Sequence, residues 1–224
     1  ISIDILSINK IFKVLNSNKI KHIIFAGSVK RPGIKDLGFD LPTLLLAKNL
    51  LLENKGDNNL LVTLKKFFES KGYIFFNWTK YCQELFSIEM NLTKVKPSKN
   101  AILNLKKAKS TYQIFKKLDV GQAMIIQNQL VLGLEAIEGT DELLRRCEEY
   151  KRKEDKGVLF KFAKKNQSNL IDIPLIGFDT IKNLKKHNYE GIYLQKNKCL
   201  ILDKKKIIDY ANQNNLFISS VDLN

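Results

Sequence analysis

A wholly apolar run directly after an amphipathic segment is the feature that most restricts the fold of this chain. Residues 23–26 read Ile-Ile-Phe-Ala and end at Gly27. The segment before them carries apolar residues at helical spacing, namely Ile8, Ile11, Phe12 and Leu15. A strand without a polar face is typical of a parallel sheet covered by helices on both sides. We therefore predict that the first third of the chain is an α/β layer with a Rossmann-like parallel sheet.

A change of rhythm along the chain predicts two domains. A helix near 43–53 and a helix–strand unit over 59–78 complete the first domain, residues 1–93. Residues 94–115 are predicted to be a polar, lysine-rich linker followed by a connecting helix. Residues 116–224 alternate two hairpin patterns, AMIIQNQLVLGLEAI and GIYLQKNKCLILD, with short helices. This second domain is predicted to be α+β with hairpins.

The charge balance is strongly basic. The chain has 38 lysines and arginines against 23 acids, a formal charge of +15, which suits phosphate-rich partners or an anionic membrane surface. Lysines supply nearly all of this charge, and they are scattered among many Asn and Ile residues rather than massed on one helix. A composition bias accounts for this pattern, and we do not expect a nucleic acid partner.

The cysteines and the hydropathy indicate a cytoplasmic protein. The three cysteines lie far apart without a CxxC spacing, which argues against structural zinc and disulfides and fits a reducing compartment. No apolar run approaches the length of a membrane span, and no signal peptide is visible. His22 and His187 have no partner at triad or zinc spacing, which argues against serine hydrolase and zinc chemistry.

Two carboxylates interrupt an apolar strand pattern in LGLEAIEGTDELLRR, residues 132–146. If the strand is extended, Glu135 falls in its middle on an apolar face and Glu138 falls at its end. A buried carboxylate is costly unless it is paired. These two groups are expected either to hold a divalent cation or to meet lysines, with Lys161 in the next strand as the obvious partner.

The residues that follow predict a capped helix. Gly139 allows a sharp turn, Thr140 is expected to be the N-cap, and Asp141 and Glu142 suit the positive end of the helix. For Asp141, a helix-start role and a metal-ligand role both remain open.

A second candidate stretch is GVLFKFAKKNQSNLIDIPLIGFDT. Lys161 interrupts its apolar strand, and Lys164 follows at the strand's end. Asp172 stands between two isoleucines, two residues before Pro174, and we expect it in extended backbone and in a partly dry setting. Asp172 is the strongest candidate for chemistry. Asp179 is a weaker candidate for chemistry than Asp172, because Asp179 followed by Thr180 is also an ordinary start of a helix.

A third stretch, IIFAGSVKRPG, suits an anion. A strand that runs into Gly27 and then Lys30 and Arg31 can present backbone amides and positive charge to a phosphate. A glycine at a strand end is equally compatible with a simple turn.

Several runs together resemble one family. LDVGQAMIIQNQLVLGLEAIEGTDELLRR, GVLFKFAKKNQ and DIPLIGFDT resemble the patterns of the two-domain UDP-2,3-diacylglucosamine diphosphatases of lipid A biosynthesis, the group distinct from calcineurin-like phosphoesterases. IIFAGSVKRP and KGDNNLLVTLKKFFESKGY match the first half of that family. Its opening Gly-Gly-Gly-x-Leu-Pro unit is absent here, so we expect the first strand–helix unit of the N-terminal domain to be missing.

The resemblance implies hydrolysis of UDP-2,3-diacylglucosamine to 2,3-diacylglucosamine 1-phosphate and UMP with Mg²⁺ or Mn²⁺. It implies Asp172 as the catalytic residue. Because Mg²⁺ prefers carboxylates, Asp172 together with Glu138 or Asp141 is expected to supply the metal ligands. The expected substrate-binding residues are Gly27, Arg31, Gln122, Glu135, Thr140, Lys161, Lys164 and Gln167.

The resemblance also implies partners and a location. A homodimer is expected, with peripheral contact at the cytoplasmic face of the inner membrane. The rival interpretation is a non-catalytic module that binds a nucleotide or sugar-nucleotide.

Overall fold

The computed structural model describes residues 8–27, 57–118, 120–164 and 172–223, with the backbone alone for 57–60. The chain forms two compact units, residues 1–81 with 168–172 and residues 82–167 with 173–224. The described helices are α1 (Ile8–Ser17), α2 (Asp57–Ser70), α3 (Lys99–Phe115), α4 (Thr140–Glu148), α5 (Phe178–Lys186) and α6 (Lys204–Gln213). The described strands are β1 (His22–Ile23), β2 (Ile74–Phe75), β3 (Ala123–Gln127), β4 (Leu130–Leu134), β5 (Val158–Lys161), β6 (Leu175–Ile176), β7 (Gly191–Gln195), β8 (Leu200–Ile201) and β9 (Phe217–Val221). None of these helices is long and apolar enough to cross a bilayer.

The first unit pairs two short parallel strands beneath two helices. β1 and β2 pair in parallel, and α1 and α2 contribute to one aromatic cluster. Phe12 of α1 stacks on Tyr73 at 5.4 Å between ring centroids, and Phe25 meets Phe75 edge-on at 4.6 Å. The predicted order of helix and parallel strand is therefore confirmed. The strand is shorter than its apolar run suggested, since Ile24 is 50% exposed. The helix predicted near 43–53 lies outside the described residues, and the Rossmann-like organisation stays a prediction.

The second unit is a mixed five-stranded sheet with helices on both faces. Its strand order is β4-β3-β5-β7-β9; β3 is antiparallel to both of its neighbours, whereas β5, β7 and β9 run parallel. Alternate strand residues pack against α3 on one face and against α4, α5 and α6 on the other. The predicted α+β class is wrong for this unit, because helices connect its parallel strands as in α/β folds.

One of the two predicted hairpins is present. β3 and β4 pair antiparallel around Asn128 and Gln129, whose φ angles of 49° and 59° suit a tight hairpin turn. The second predicted hairpin is wrong. β7 lies between β5 and β9 in the main sheet, whereas β8 pairs in parallel with β6 in a separate two-stranded sheet. Every residue of β7 is buried, and such a strand needs partners on both of its edges.

The segment predicted as a linker, and Leu92 just before it, pack onto the second unit. Leu92 is 7% exposed, lies in the core and donates its N–H to the carbonyl of Ile218 at 3.0 Å. Ser98 is the N-cap of α3 and accepts a hydrogen bond from the Ala101 N–H. The Ser98 N–H and hydroxyl both donate to the Glu190 carboxylate, at 2.7 and 2.9 Å. These contacts fix α3 to the second unit.

Candidate functional site

Glu135 lies just beyond the end of β4, not in the middle of a strand. Ile137 is 95% exposed, so the expected extension of the strand through this residue is wrong. Glu135 is nevertheless 7% exposed, and its N–H still donates to the Ala123 carbonyl. Its Oε2 accepts the N–H of Gln122 at 2.6 Å. The carboxylate is thus held at the start of β3.

Gly121 makes room for Glu135. A Cβ atom at this position would stand 2.4 Å from Glu135 Cγ, far inside van der Waals contact. The Gly121 N–H also donates to the Glu135 carbonyl at 2.9 Å. The glycine in the DVGQ run therefore allows two backbones to approach with a buried carboxylate between them.

Thr140 joins two buried charges. The N-cap of α4 is Gly139, with φ +82°, so the prediction that Thr140 caps the helix is wrong. The Thr140 hydroxyl instead donates to Glu135 Oε1 at 2.6 Å and accepts from Lys161 Nζ at 2.5 Å. We call these three residues the Glu–Thr–Lys chain. The expected proximity of Glu135 and Lys161 is confirmed, with a hydroxyl as the bridge.

Lys161 is the last residue of β5 and is 7% exposed. In the described part of the chain, Thr140 is the hydrogen-bond partner of its ammonium, which leaves two of the three N–H groups for a ligand. Its carbonyl accepts the Cys199 thiol at 3.3 Å. Burial raises the pKa of that thiol to about 12, so Cys199 remains a neutral donor.

Three separate sequence runs meet at this edge of the sheet. The site joins the start of β3 (Gly121 and Gln122), the end of β4 and the start of α4 (Glu135 and Thr140), and the end of β5 (Lys161). In open α/β sheets, ligands bind outside the carboxyl ends of the strands. The Glu–Thr–Lys chain lies at that edge.

Glu138 forms an ion pair rather than ending a strand. Its Oε1 accepts from Arg146 Nε at 3.0 Å and from a terminal nitrogen of the same guanidinium at 2.8 Å. Its Oε2 accepts the Ala136 N–H at 3.1 Å. Partial desolvation raises the pKa of Glu138, but hydrogen bonds from backbone amides and from Arg146 outweigh it, so the pKa is lowered overall.

Arg146 is a residue that the sequence analysis missed. Besides Glu138, it donates to the Leu134 carbonyl at 2.8 Å and thereby ties α4 to the end of β4. The neighbouring Arg145 pairs with Glu142 on the exposed side of the same helix. The sequence alone does not distinguish the two adjacent arginines. The orientation of α4 in the fold places Arg146, and not Arg145, against Glu138 and Leu134.

The described carboxylates do not by themselves form a magnesium centre. Asp141 and Glu142 lie in the first turn of α4, as predicted, and Asp141 is exposed. Glu138 already forms an ion pair with Arg146. Within the described ranges, no group of three or more His, Cys, Asp or Glu side chains is placed to hold a metal ion. The expected ligand set of Asp172, Glu138 and Asp141 stays a prediction.

Asp172 lies where the chain passes from one unit to the other. It has φ +57°, so the expectation of extended backbone is wrong. Left-handed backbone is rare outside glycine, and Asp and Asn adopt it most readily. Asp172 is half-buried, which agrees with a partly dry setting. A sparsely populated backbone conformation at a candidate catalytic carboxylate is compatible with a functional role.

The other expected contacts are only partly described. Gln122 is buried, and its carbonyl accepts the Phe162 N–H at 2.9 Å. Lys164 is half-buried. Gly27 follows β1, is exposed and has φ +94°, which agrees with a turn. Arg31 and Gln167 lie outside the described residues.

Comparison with known proteins gives the family. The family model of the LpxI N-terminal domain matches residues 1–85, and that of the LpxI C-terminal domain matches residues 89–219. The chain is also 31% identical over 220 residues to UDP-2,3-diacylglucosamine pyrophosphatase LpxI of Caulobacter vibrioides. That match covers 95% of this chain and 79% of the relative.

The chain belongs to the LpxI family. The resemblance drawn from its motifs is confirmed at this level. Among solved structures, a dCMP deaminase from the cyanophage S-TIM5 in apo form matches 52% of this chain and 97% of its own length, with 14% identity and a TM-score of 0.33. A TM-score of this size carries no argument about fold or function.

Proposed function

We propose that this protein hydrolyses the diphosphate of UDP-2,3-diacylglucosamine, releasing 2,3-diacylglucosamine 1-phosphate and UMP in lipid A biosynthesis. Membership of the LpxI family and the name of the Caulobacter relative support this activity. The structural observation that carries it is the Glu–Thr–Lys chain, since it holds a lysine with spare donors at the carboxyl edge of a sheet.

The chemistry requires positive charge at the diphosphate. Water adds to one phosphorus, the bond to the bridging oxygen breaks, and the departing phosphate takes up the negative charge. Preorganised donors aimed at phosphate oxygens stabilise this change. We propose that the two remaining N–H groups of Lys161 contact those oxygens, while Thr140 and Glu135 hold the ammonium in place.

Other residues complete the proposal. Asp172 is proposed as the essential catalytic carboxylate, and its left-handed backbone supports a specialised role. The proposed further substrate contacts are Gly27, Arg31, Gln122, Lys164 and Gln167. A homodimer at the cytoplasmic face of the inner membrane is part of the same proposal.

A divalent cation, Mg²⁺ or Mn²⁺, is the proposed cofactor. When bound, it would neutralise charge on the diphosphate. Because the described carboxylates form no cluster of three, we assign no step through the metal. Magnesium in phosphate-handling sites is bound by one or two carboxylates together with substrate phosphates, and that arrangement would suit this chain.

The test is UMP release from UDP-2,3-diacylglucosamine with 5 mM MgCl₂, with the Caulobacter relative as the positive control. Asp172→Asn is the matched variant, because Asn tolerates φ +57° as Asp does and only the charge is lost. We expect turnover by the natural chain and a loss of at least about 1,000-fold in kcat for the variant. Substrate binding without UMP release, while the relative is active, would instead indicate a binding module.

A further inference from the structure

One segment stands out because its positive charge is not balanced by any acid. Residues 94–118 contain no acid, and 8 of these 25 residues are lysines: Lys94, Lys96, Lys99, Lys106, Lys107, Lys109, Lys116 and Lys117. Elsewhere the chain carries all of its 23 acids. The lysines are scattered along the chain as expected, but this segment, which comprises α3 and its flanks, carries their charge without an acid beside them.

The outer face of α3 also presents aliphatic side chains. The inner face packs on the sheet through Ala101, Ala108, Tyr112 and Phe115. On the outer side, Leu103 is 39% exposed, Ile114 is 72% exposed and Leu118, just past the helix, is 51% exposed. The spacing of these residues, with Lys107 between them, follows a single line along the helix. Ile102 adds a fourth exposed aliphatic residue, at 48%.

We propose that this face of α3 docks the protein on an anionic lipid surface. Lysine-rich helices with exposed aliphatic residues lie in the interface plane of a membrane, with the apolar side chains inserted among the headgroups. Lysine stems can lie along the apolar boundary while their ammonium groups meet lipid phosphates. The proposal rests on the proposed function only in that a diacylated substrate would be drawn from the same surface.

The composition of the helix favours a bilayer over a nucleic acid. Single-stranded nucleic acid is bound by stacking of bases on exposed aromatic side chains between basic residues. The aromatic residues of α3, Tyr112 and Phe115, are 5% and 4% exposed. The exposed apolar residues are aliphatic, which suits insertion among lipids. Lys116 is set aside, because its ammonium bonds Gln113 and lies 5.1 Å from the centre of the Tyr112 ring.

The test is a flotation assay of the full-length protein with two kinds of vesicle. One is phosphatidylcholine containing 30% phosphatidylglycerol, and the other is pure phosphatidylcholine. We expect binding to the anionic vesicles at 50 mM salt and its loss at 500 mM salt. The combined variant Lys106→Gln, Lys107→Gln and Lys117→Gln should bind about 100-fold more weakly, at about fivefold per lysine. The control is Lys153→Gln, Lys186→Gln and Lys205→Gln, which removes the same charge from exposed sites of the same unit and should retain binding.

A second variant tests the aliphatic contribution. Ile114→Gln leaves the charge unchanged and should weaken vesicle binding several-fold. The proposal is overturned if the two lysine variants lose binding equally, if neutral vesicles bind equally well, or if a single-stranded RNA oligonucleotide binds more tightly than the anionic vesicles. UMP release from detergent-dispersed substrate should be unchanged in the α3 variants. A protein inactive in that assay would refute the proposed function and leave the vesicle result interpretable by itself.

Discussion

At the scale of single residues, one hydroxyl group bridges two buried charged side chains by hydrogen bonds. Thr140 satisfies Glu135 and Lys161 at once, so replacing it with valine keeps the shape and removes both hydrogen bonds. Hydrogen bonds to charged groups contribute about 1.5–3 kcal/mol. We therefore expect Thr140→Val to lower kcat/KM on the order of 10- to 100-fold, measured as UMP release.

Thr140→Ser is the matched control, because serine retains the hydroxyl. It should keep most of the activity, and its melting temperature should stay within a few degrees of the natural protein. If the serine variant loses as much activity as the valine variant, retaining the hydroxyl does not preserve activity, and the proposed role of the Glu–Thr–Lys chain is wrong.

Two adjacent arginines allow a comparison within one helix. Arg146→Met removes three hydrogen bonds that tie α4 to the end of β4 and to the loop after it. Because the guanidinium is partly exposed, we discount its contribution and expect a loss of about 1 kcal/mol in the free energy of unfolding. That loss corresponds to about 2–4 °C in melting temperature for a chain of this size. Arg145→Met, on the exposed side, should leave the melting temperature unchanged.

The same comparison has a pH dependence. The pKa of Glu138 lies below its usual value of 4.5 in the folded protein, since hydrogen bonds from backbone amides and Arg146 outweigh desolvation. Its contribution is therefore fully present above pH 4.5 and is lost as the pH falls through the lowered pKa. Urea unfolding should show the difference between the natural protein and Arg146→Met shrinking in acid. A constant difference down to pH 3 would argue against this ion pair.

The sequence identifies the anomalous charges but not their partners. Glu135 and Lys161 stand out because each interrupts an apolar strand pattern, and the structure brings them together. The bridging role of Thr140 was hidden, because a threonine before two acids is also a good helix cap. The backbone of Asp172 was not predictable from the nearby proline. Pro174 restricts the residue directly before it, Ile173, and places no such restriction on Asp172, which adopts φ +57°.

At the scale of elements, local signals were predictable and distant pairing was not. The hairpin turn at Asn128 and Gln129 and the helix that follows Gly139 occur in the segments predicted for them, because turn residues and helix-start residues are local signals. The second hairpin failed because β7 pairs with strands that are distant along the chain. Two apolar runs that are close together in sequence favour a hairpin. The pairing of β7 with β5 and β9, which replaces that hairpin, is apparent only in the complete sheet.

The edge where β3 and β4 meet gives the element-scale prediction. Any side chain at Gly121 collides with Glu135 in its buried position, so Gly121→Ser should push the carboxylate out of the Glu–Thr–Lys chain. We expect a loss of about 2–4 kcal/mol in the free energy of unfolding together with most of the activity. Gly177→Ser is the control, because that glycine has open space around it and serine suits the N-cap that it occupies. Equal stability of the two variants in urea unfolding would contradict the packing argument.

At the scale of the whole molecule, the question is whether a metal ion belongs to the folded chain or arrives with the substrate. An ion that binds the native protein alone raises the free energy of unfolding by RT ln(1 + [L]/Kd). The described carboxylates form no cluster of three, and Glu138 is held by Arg146. A preformed, high-affinity site is therefore not built from these residues.

We accordingly expect activity and stability to respond differently to metal removal. EDTA should abolish UMP release, and 5 mM MgCl₂ should restore it. The melting temperature of the substrate-free protein should differ by less than about 2 °C between the two conditions, since a Kd weaker than about 5 mM stabilises by less than about 0.4 kcal/mol. A fall of 5 °C or more with EDTA would require a resident site and would return Asp172, Glu138 and Asp141 to consideration as its ligands. Full activity in EDTA would refute the proposed cofactor while leaving the Glu–Thr–Lys chain to be tested by Thr140→Val.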